Sequence, residues 1–224
     1  GGRHFHHLYK EVLKDVPQID AIARGEGEIT TPRLLRAYFN NKDFSKVPGA
    51  AYRKGRKIVA NPLPPLIKNL DEIPWPAWHL YDLKKYYSTL EKEIDIKTVG
   101  LISSRGCPNF CTFCSNNFFW PFLRLRNPKD VVDEVEFLHK KYGYRGFTFG
   151  DDTMTMVKSH ILGICEEIIK RKLDIVWYSR ARVNTVNGEI LAKMKEAGCR
   201  IIGFGVESGS ERILKKIKKN ITLE

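Results

Sequence analysis

The chain has 224 residues, 42% hydrophobic and 29% charged, and 38 Lys and Arg against 26 Asp and Glu give it a net charge of +12. This composition excludes a disordered or fibrous chain, and the length allows one large domain or two small ones with real cores. The longest apolar run, 201–206, is far short of the roughly 20 residues a membrane span needs, and 1–30 hold no signal-peptide core, so a cytoplasmic protein without a membrane span is expected.

The chain opens on Gly1, not Met, and closes at Glu224 within a basic helical pattern (Ser210 to Asn220), so it reads as the middle of a longer protein. His7 to Val16 carries Leu8, Val12 and Val16 at helical spacing, stopped by Pro17. Ile19 to Ala23 alternates as a short strand does, and Gly25-Glu26-Gly27-Glu28 reads as a tight loop. Thr31-Pro32 then opens a helix, with Thr31 as cap and Pro32 at its first turn. Ala50 to Arg53 and Lys57 to Ala60 form a hairpin turning at Lys54-Gly55-Arg56. Pro62, Pro64, Pro65, Pro74 and Pro76 make 61–78 an extended connector.

From Thr98 on, strands and helices alternate. Strands are expected at Thr98–Ser104, Gly146–Gly150, Ile175–Ser179 and Arg200–Val206. Helices are expected after Asn127-Pro128, over Ser159–Lys172 and Gly188–Ala197, and at the end. Four βα units in a row imply an α/β fold with parallel strands, either a doubly wound sheet or part of a (β/α) barrel. Both collect their sites at the C-terminal ends of the strands.

Charge is unevenly spread. Residues 33–68 hold nine Lys and Arg against one acid, and 97–129 hold five against none. Nucleic acid, an acidic membrane surface or an anionic substrate each fit the total. The second excess surrounds Cys107-Pro108-Asn109-Phe110-Cys111-Thr112-Phe113-Cys114, a C-x3-C-x2-C run just after the first strand of the array. Five Cys is an odd number, and a disulfide within the cluster leaves one thiol over. Three close thiolates can hold three irons of a 4Fe–4S cube and leave the fourth open to a substrate. Zinc competes, but a structural zinc site wants four ligands. Cys165, mid-helix, and Cys199, at a strand start, read as buried small hydrophobes.

This cysteine run resembles the signature of radical S-adenosylmethionine (SAM) enzymes. Ser103-Ser104-Arg105-Gly106-Cys107-Pro108 resembles the subgroup in which the cluster domain follows a cobalamin-binding domain. So do Phe149-Gly150-Asp151-Asp152-Thr153, Gly205-Val206-Glu207-Ser208-Gly209-Ser210, the Gly25 to Thr30 loop and Leu70 to Trp78. The resemblance implies that residues 1–40 are the last βα piece of a Rossmann-like cobalamin-binding domain. It makes 41–97 a connector and 98–224 a radical SAM partial barrel, with four of the family's roughly six βα units.

It also implies that Cys107, Cys111 and Cys114 ligate a 4Fe–4S cluster and that Phe113 contacts the adenine of SAM. Asp151 and Asp152 would take its ammonium or ribose hydroxyls, Glu207 and Ser208 its ribose or methionine part, and Arg180 or Arg182 its carboxylate. One electron passed to SAM would release methionine and a 5′-deoxyadenosyl radical. Cobalamin-dependent methyl transfer or carbon-skeleton cyclase chemistry is the expected use, on a small-molecule, lipid or tetrapyrrole-like substrate, with a flavodoxin or ferredoxin as electron donor. The subgroup's cobalt-binding Asp-x-His-x-x-Gly loop does not occur here, and His4, His6 and His7 are not that motif; His6 and His7 read as solvated helix-start residues. A tRNA methylthiotransferase is the alternative, and a zinc-stapled nucleic-acid-binding module is the alternative of a different class. The latter would use the Lys215, Lys216, Lys218, Lys219 run, which also reads as a solvated helix face.

Overall fold

A computed structural model describes residues 2–40, 43–86 and 96–223. Residues 41 and 42, residues 87–95 of the expected connector, and both terminal residues lie outside the described residues. The chain divides into two compact units, Gly1–Lys68 and Asn69–Glu224.

The first unit is a three-stranded antiparallel sheet with helices. β1 (Ala21–Ala23) pairs with β2 (Ala50–Lys54), which pairs with β3 (Lys57–Ala60). The β2–β3 hairpin turns where expected, with Gly55 at φ 57°. The pleat sends Ala50 and Tyr52 to a core with Leu34, Phe44 and Val47, and Ala51 to the opposite one with Leu13 and Ile22. The helix expected from His7 is two helices, α1 (Gly2–His7) and α2 (Tyr9–Asp15), broken at Leu8. Leu8 and Val16 are exposed, while Leu13 is buried with Phe5, Tyr9 and Val12 beside it. These four also follow helical spacing, and starting the pattern at His7 hid Phe5.

α3 (Gly27–Asn40) begins a turn earlier than expected, because the Glu26 carbonyl accepts from both Ile29 and Thr30 N–H. Pro32 therefore lies inside the helix, where it removes the bond to Glu28's carbonyl. His6 is buried, not solvated: its Nδ1 accepts from Gly25 N–H at 3.0 Å, and burial lowers its pKa. Glu26 is buried as well and takes the Ile67 N–H at 2.7 Å. The Gly25-Glu26 loop is thus pinned from two sides.

The second unit carries a parallel sheet of β4 (Thr98–Leu101), β7 (Gly146–Phe149), β8 (Val176–Ala181) and β9 (Cys199–Phe204), in that spatial order. Between them run α4 (Asn116–Phe119), α5 (Pro128–Tyr142), α6 (Lys158–Lys170) and α7 (Gly188–Glu196), and α8 (Glu211–Lys216) follows. α5 is framed as its sequence demands. The Asn127 side chain caps it, Pro128 opens it, and Gly143 closes it at φ 73°.

Val99, Leu101, Phe147, Phe149 and Trp177 share one core with Val131, Val135, Leu138, Ile161, Ile164, Ile168, Ile190 and Met194 of the helices. Strand order follows chain order and the helices share this one core, which is the arrangement of an open (β/α) barrel and not of a doubly wound sheet. The other face of the sheet carries Gly100, Thr148, Tyr178 and Arg180, and the Tyr178 hydroxyl occupies the place where a side chain on Gly203 would begin.

The Pro-rich segment is bound to α5 by a buried network. Arg126 bonds Asp130 twice and pairs with Glu134 at 2.7 Å. Trp75 and Trp78 donate their indole N–H groups to Asp130 and Glu134. Elsewhere, Cys165 and Cys199 are buried thiols pushed up to about 12, as expected of inert packing residues.

Candidate metal centre

The expected strand Thr98–Ser104 stops at Leu101. Ser104 and Arg105 form β5, which pairs antiparallel with β6 (Arg124–Leu125). This short ladder closes the base of a loop running from 106 to 123, and the three motif cysteines lie on it. Gly106 enters the loop at φ 95°, and a Cβ there would stand 2.1 Å from the Phe122 carbonyl oxygen. Only glycine fits.

Asp151, from the end of β7, holds the approach to the loop. Its carboxylate accepts from Ser103 N–H (3.1 Å), Ser103 Oγ (2.8 Å) and Ser104 Oγ. His160 Nε2 meets Ser103 Oγ at 3.1 Å. All four residues are buried. Burial pushes the Asp151 carboxyl up, against the pull of its three donors, and holds His160 down at about 4.

Cys111 is buried, Cys107 and Cys114 are half-buried, and all five cysteines are free thiols. Asn109 Nδ2 donates to Cys107 Sγ at 3.2 Å, and Thr153 Oγ1 lies 4.0 Å from the same sulfur. Arg182 Nη1 donates to Cys111 Sγ at 3.8 Å. Thr112 N–H bonds the Ile217 carbonyl at 3.0 Å, which rests the loop on the end of α8.

The other sequence candidates sit as follows. Phe113 is 58% exposed, within an exposed set that includes Phe110, Phe118 and Phe122. Asp152 is half-buried beside the fully engaged Asp151. Arg180 and Arg182 part company: Arg180, one residue before the end of β8, is exposed, while Arg182 lies past the strand and is 5% exposed. Glu207, at φ 66°, pairs with Lys219 at 2.7 Å across Gly205. Ser208 Oγ takes the Ser210 N–H at 3.1 Å, a local turn bond. Lys219 is therefore buried and paired, unlike the solvated helix face its run suggested.

The charge excess also looks different in space. Arg126 is neutralised by Asp130 and Glu134, Lys129 pairs with Asp133, and Arg105 stacks over Trp120. Sequence reasoning gave no role to Asn109, Thr153, His160 or Asn116. Asn109 lies inside the motif and Thr153 directly after the acidic pair, so both had a positional signal. His160 and Asn116 had none.

Among the described residues no three His, Cys, Asp or Glu side chains converge as they would around one metal ion. Two observations fit a group that brings negative charge and acceptors. Arg182 is buried with no carboxylate partner among the described residues. The Asn116 amide, two residues past Cys114, is buried with neither its oxygen nor its nitrogen hydrogen-bonded.

Residues 101–224 match the family model of the radical SAM superfamily. The chain is 37% identical to an uncharacterized methyltransferase of Pyrococcus horikoshii, over 99% of this chain and 48% of that protein. It is 36% identical to an anaerobic magnesium-protoporphyrin IX monomethyl ester cyclase of Rubrivivax gelatinosus, over 100% of this chain and 41% of the relative. The chain thus spans less than half the length of these relatives. Its fold is that of the radical SAM methyltransferase TsrM of Kitasatospora setae, solved with cobalamin and a [4Fe-4S] cluster bound. The TM-score is 0.76 at 19% identity, over 100% of this chain and 44% of that one. The family match covers more than half of the chain and takes in the whole cysteine loop, and the chain belongs to the radical SAM superfamily.

Proposed function

We propose that Cys107, Cys111 and Cys114 hold a 4Fe–4S cluster in an enzyme that cleaves SAM reductively, as part of a cobalamin-dependent methyltransferase or a cyclase. The observation that carries this reading is the placement of three free thiols on one glycine-gated loop at the C-terminal end of the first parallel strand. When bound, such a cluster supplies one electron for breaking the S–C5′ bond of SAM, giving methionine and a 5′-deoxyadenosyl radical that abstracts hydrogen from carbon.

The chain's own residues bind and orient. Phe113 presents an exposed ring for the adenine. Asp152 and the exposed Glu207 carboxylate accept from ammonium or ribose hydroxyls, with Ser208 beside them, and the exposed Arg180 meets the SAM carboxylate. Asp151 serves at one remove by fixing Ser103 and Ser104 below the loop. The exposed phenylalanines give an apolar rim that excludes water once substrate is bound.

Residues 1–40 are read as the tail of a cobalamin-binding domain, 41–97 as the connector and 98–224 as the radical SAM core. The substrate is a small molecule, with tetrapyrrole or lipid-like compounds first, and a flavodoxin or ferredoxin is the electron donor. Five free thiols suit a reducing compartment, and the cytoplasm is the location this reading favours. No helix among the described residues is long and apolar enough to cross a membrane.

Anaerobic reconstitution tests the core of the reading. The protein should take up about four irons per chain with the broad visible absorbance of an iron–sulfur cluster, and SAM should perturb the spectrum. A Cys111→Ala variant that still bound the same iron would overturn the ligand assignment. A colourless protein with one tight zinc would overturn the function.

A further inference from the structure

We infer that Arg182 is a positioning residue for the cluster: through Cys111 it balances the charge of that centre and raises its reduction potential. This rests on the reading of the three-cysteine loop given above.

A guanidinium stays charged in a protein, and a buried charge is tolerated only beside an opposite one. Two bridged arginines of this unit obey that rule. Arg126 has Asp130 and Glu134, and Arg171 has Asp133, Glu136 and Glu167. Arg182 is 5% exposed and does not. Its side-chain partners are Asn184 Oδ1 at 3.4 Å, the Lys219 carbonyl and Cys111 Sγ at 3.8 Å. Of these, only the sulfur can carry negative charge.

The guanidinium is also held in place. β8 ends at Ala181, and a tight turn over Val183–Thr185 follows, closed by Thr185 N–H on the Arg182 carbonyl. Thr185 Oγ1 in turn meets Thr155 Oγ1 at 2.6 Å, and Asn184 Nδ2 reaches the Asn220 carbonyl. The Arg182 fork therefore points at the loop and at Lys219, with its donors engaged there, which leaves Arg180 to face the open side of the sheet. Three thiolates give the centre a net negative charge, and adding an electron increases it. A fixed cation at one ligand stabilises the reduced form more than the oxidised form, so it raises the potential.

The test compares wild type, Arg182→Met and Arg182→Lys, each reconstituted anaerobically and titrated by EPR-monitored reduction without SAM. Arg182→Met should keep its iron and have a more negative midpoint. At a fixed potential its reduced-to-oxidised ratio should fall about a hundredfold or more, the scale of one charge roughly 4–6 Å away at an effective dielectric of about 20. Arg182→Lys, which keeps the charge, should recover most of this. If Arg182→Met folds but loads iron poorly, recovery of loading in Arg182→Lys supports the charge role, and equal loss in both overturns it. An unchanged midpoint in a fully loaded Arg182→Met also overturns it. Wild-type protein that binds no iron defeats the cluster reading itself, and this inference with it.

Discussion

Two arginines of the second unit make opposite bargains with burial. Arg126 sits under the Pro-rich segment with two carboxylates and two indoles closing the network around it. Arg182 sits under the cysteine loop with a thiol, a side-chain amide and a carbonyl. The first arrangement is complete within the protein and fixes a segment to a helix. The second reaches neutrality only with charge on sulfur, which is what a thiolate-held cluster brings. Burial alone does not separate structural from functional cations; the identity of the counter-charge does.

The largest expected effect falls on the loop that gives Arg182 its partner. Gly106→Ala pushes a methyl into the Phe122 carbonyl at a positive φ. It should abolish iron retention in reconstitution while circular dichroism shows the rest of the fold intact. Next comes the contrast itself. Arg126→Met leaves Glu134 buried without a counter-charge and should cost about 3–5 kcal/mol in chemical denaturation of the iron-free protein. Arg182→Met, which strands no carboxylate, should cost below about 2 kcal/mol in the same assay. Equal costs would erase the distinction.

The third effect is pH dependence. His160, desolvated and close to Arg126, has its pKa held at about 4 against 6.5 when unfolded. Between these values the unfolded chain binds the extra proton, so stability falls as pH falls from 6.5 towards 4. The loss should reach up to about 3 kcal/mol, read as the difference between wild type and His160→Gln. Asp151, shifted upward by burial, contributes in the opposite sense, which is why the difference and not the raw curve is diagnostic. The smallest effect is Lys129→Ala: its pair with Asp133 is exposed on one helix face and should change stability by less than about 0.5 kcal/mol.

Legibility followed how local each signal is. The βα alternation, the α5 caps and the hairpin turn are written in neighbouring residues, and the three cysteines carry their spacing on one loop. The α1–α2 break and the early start of α3 were hidden because competing stripes and a carbonyl cap decided them. The two roles of Arg180 and Arg182 were illegible for another reason. Strand alternation puts both on one face, but the strand ends between them at Ala181. Likewise Lys219 looks like one of four solvated lysines until the chain folds back and sets it on Glu207.

The contact between Thr112 and the carbonyl of Ile217 also sets an order of events during synthesis. Cys111 and Arg182 are 71 residues apart, and Ile217 follows later still. While the ribosome is making the first two βα units, the cysteines are already outside but have neither their cation nor their resting surface. Long-range closures of this kind come late in folding. Insertion of the metal is therefore expected to wait for the end of this unit, and a ribosome stalled before β9 would display a loop that cannot keep its iron.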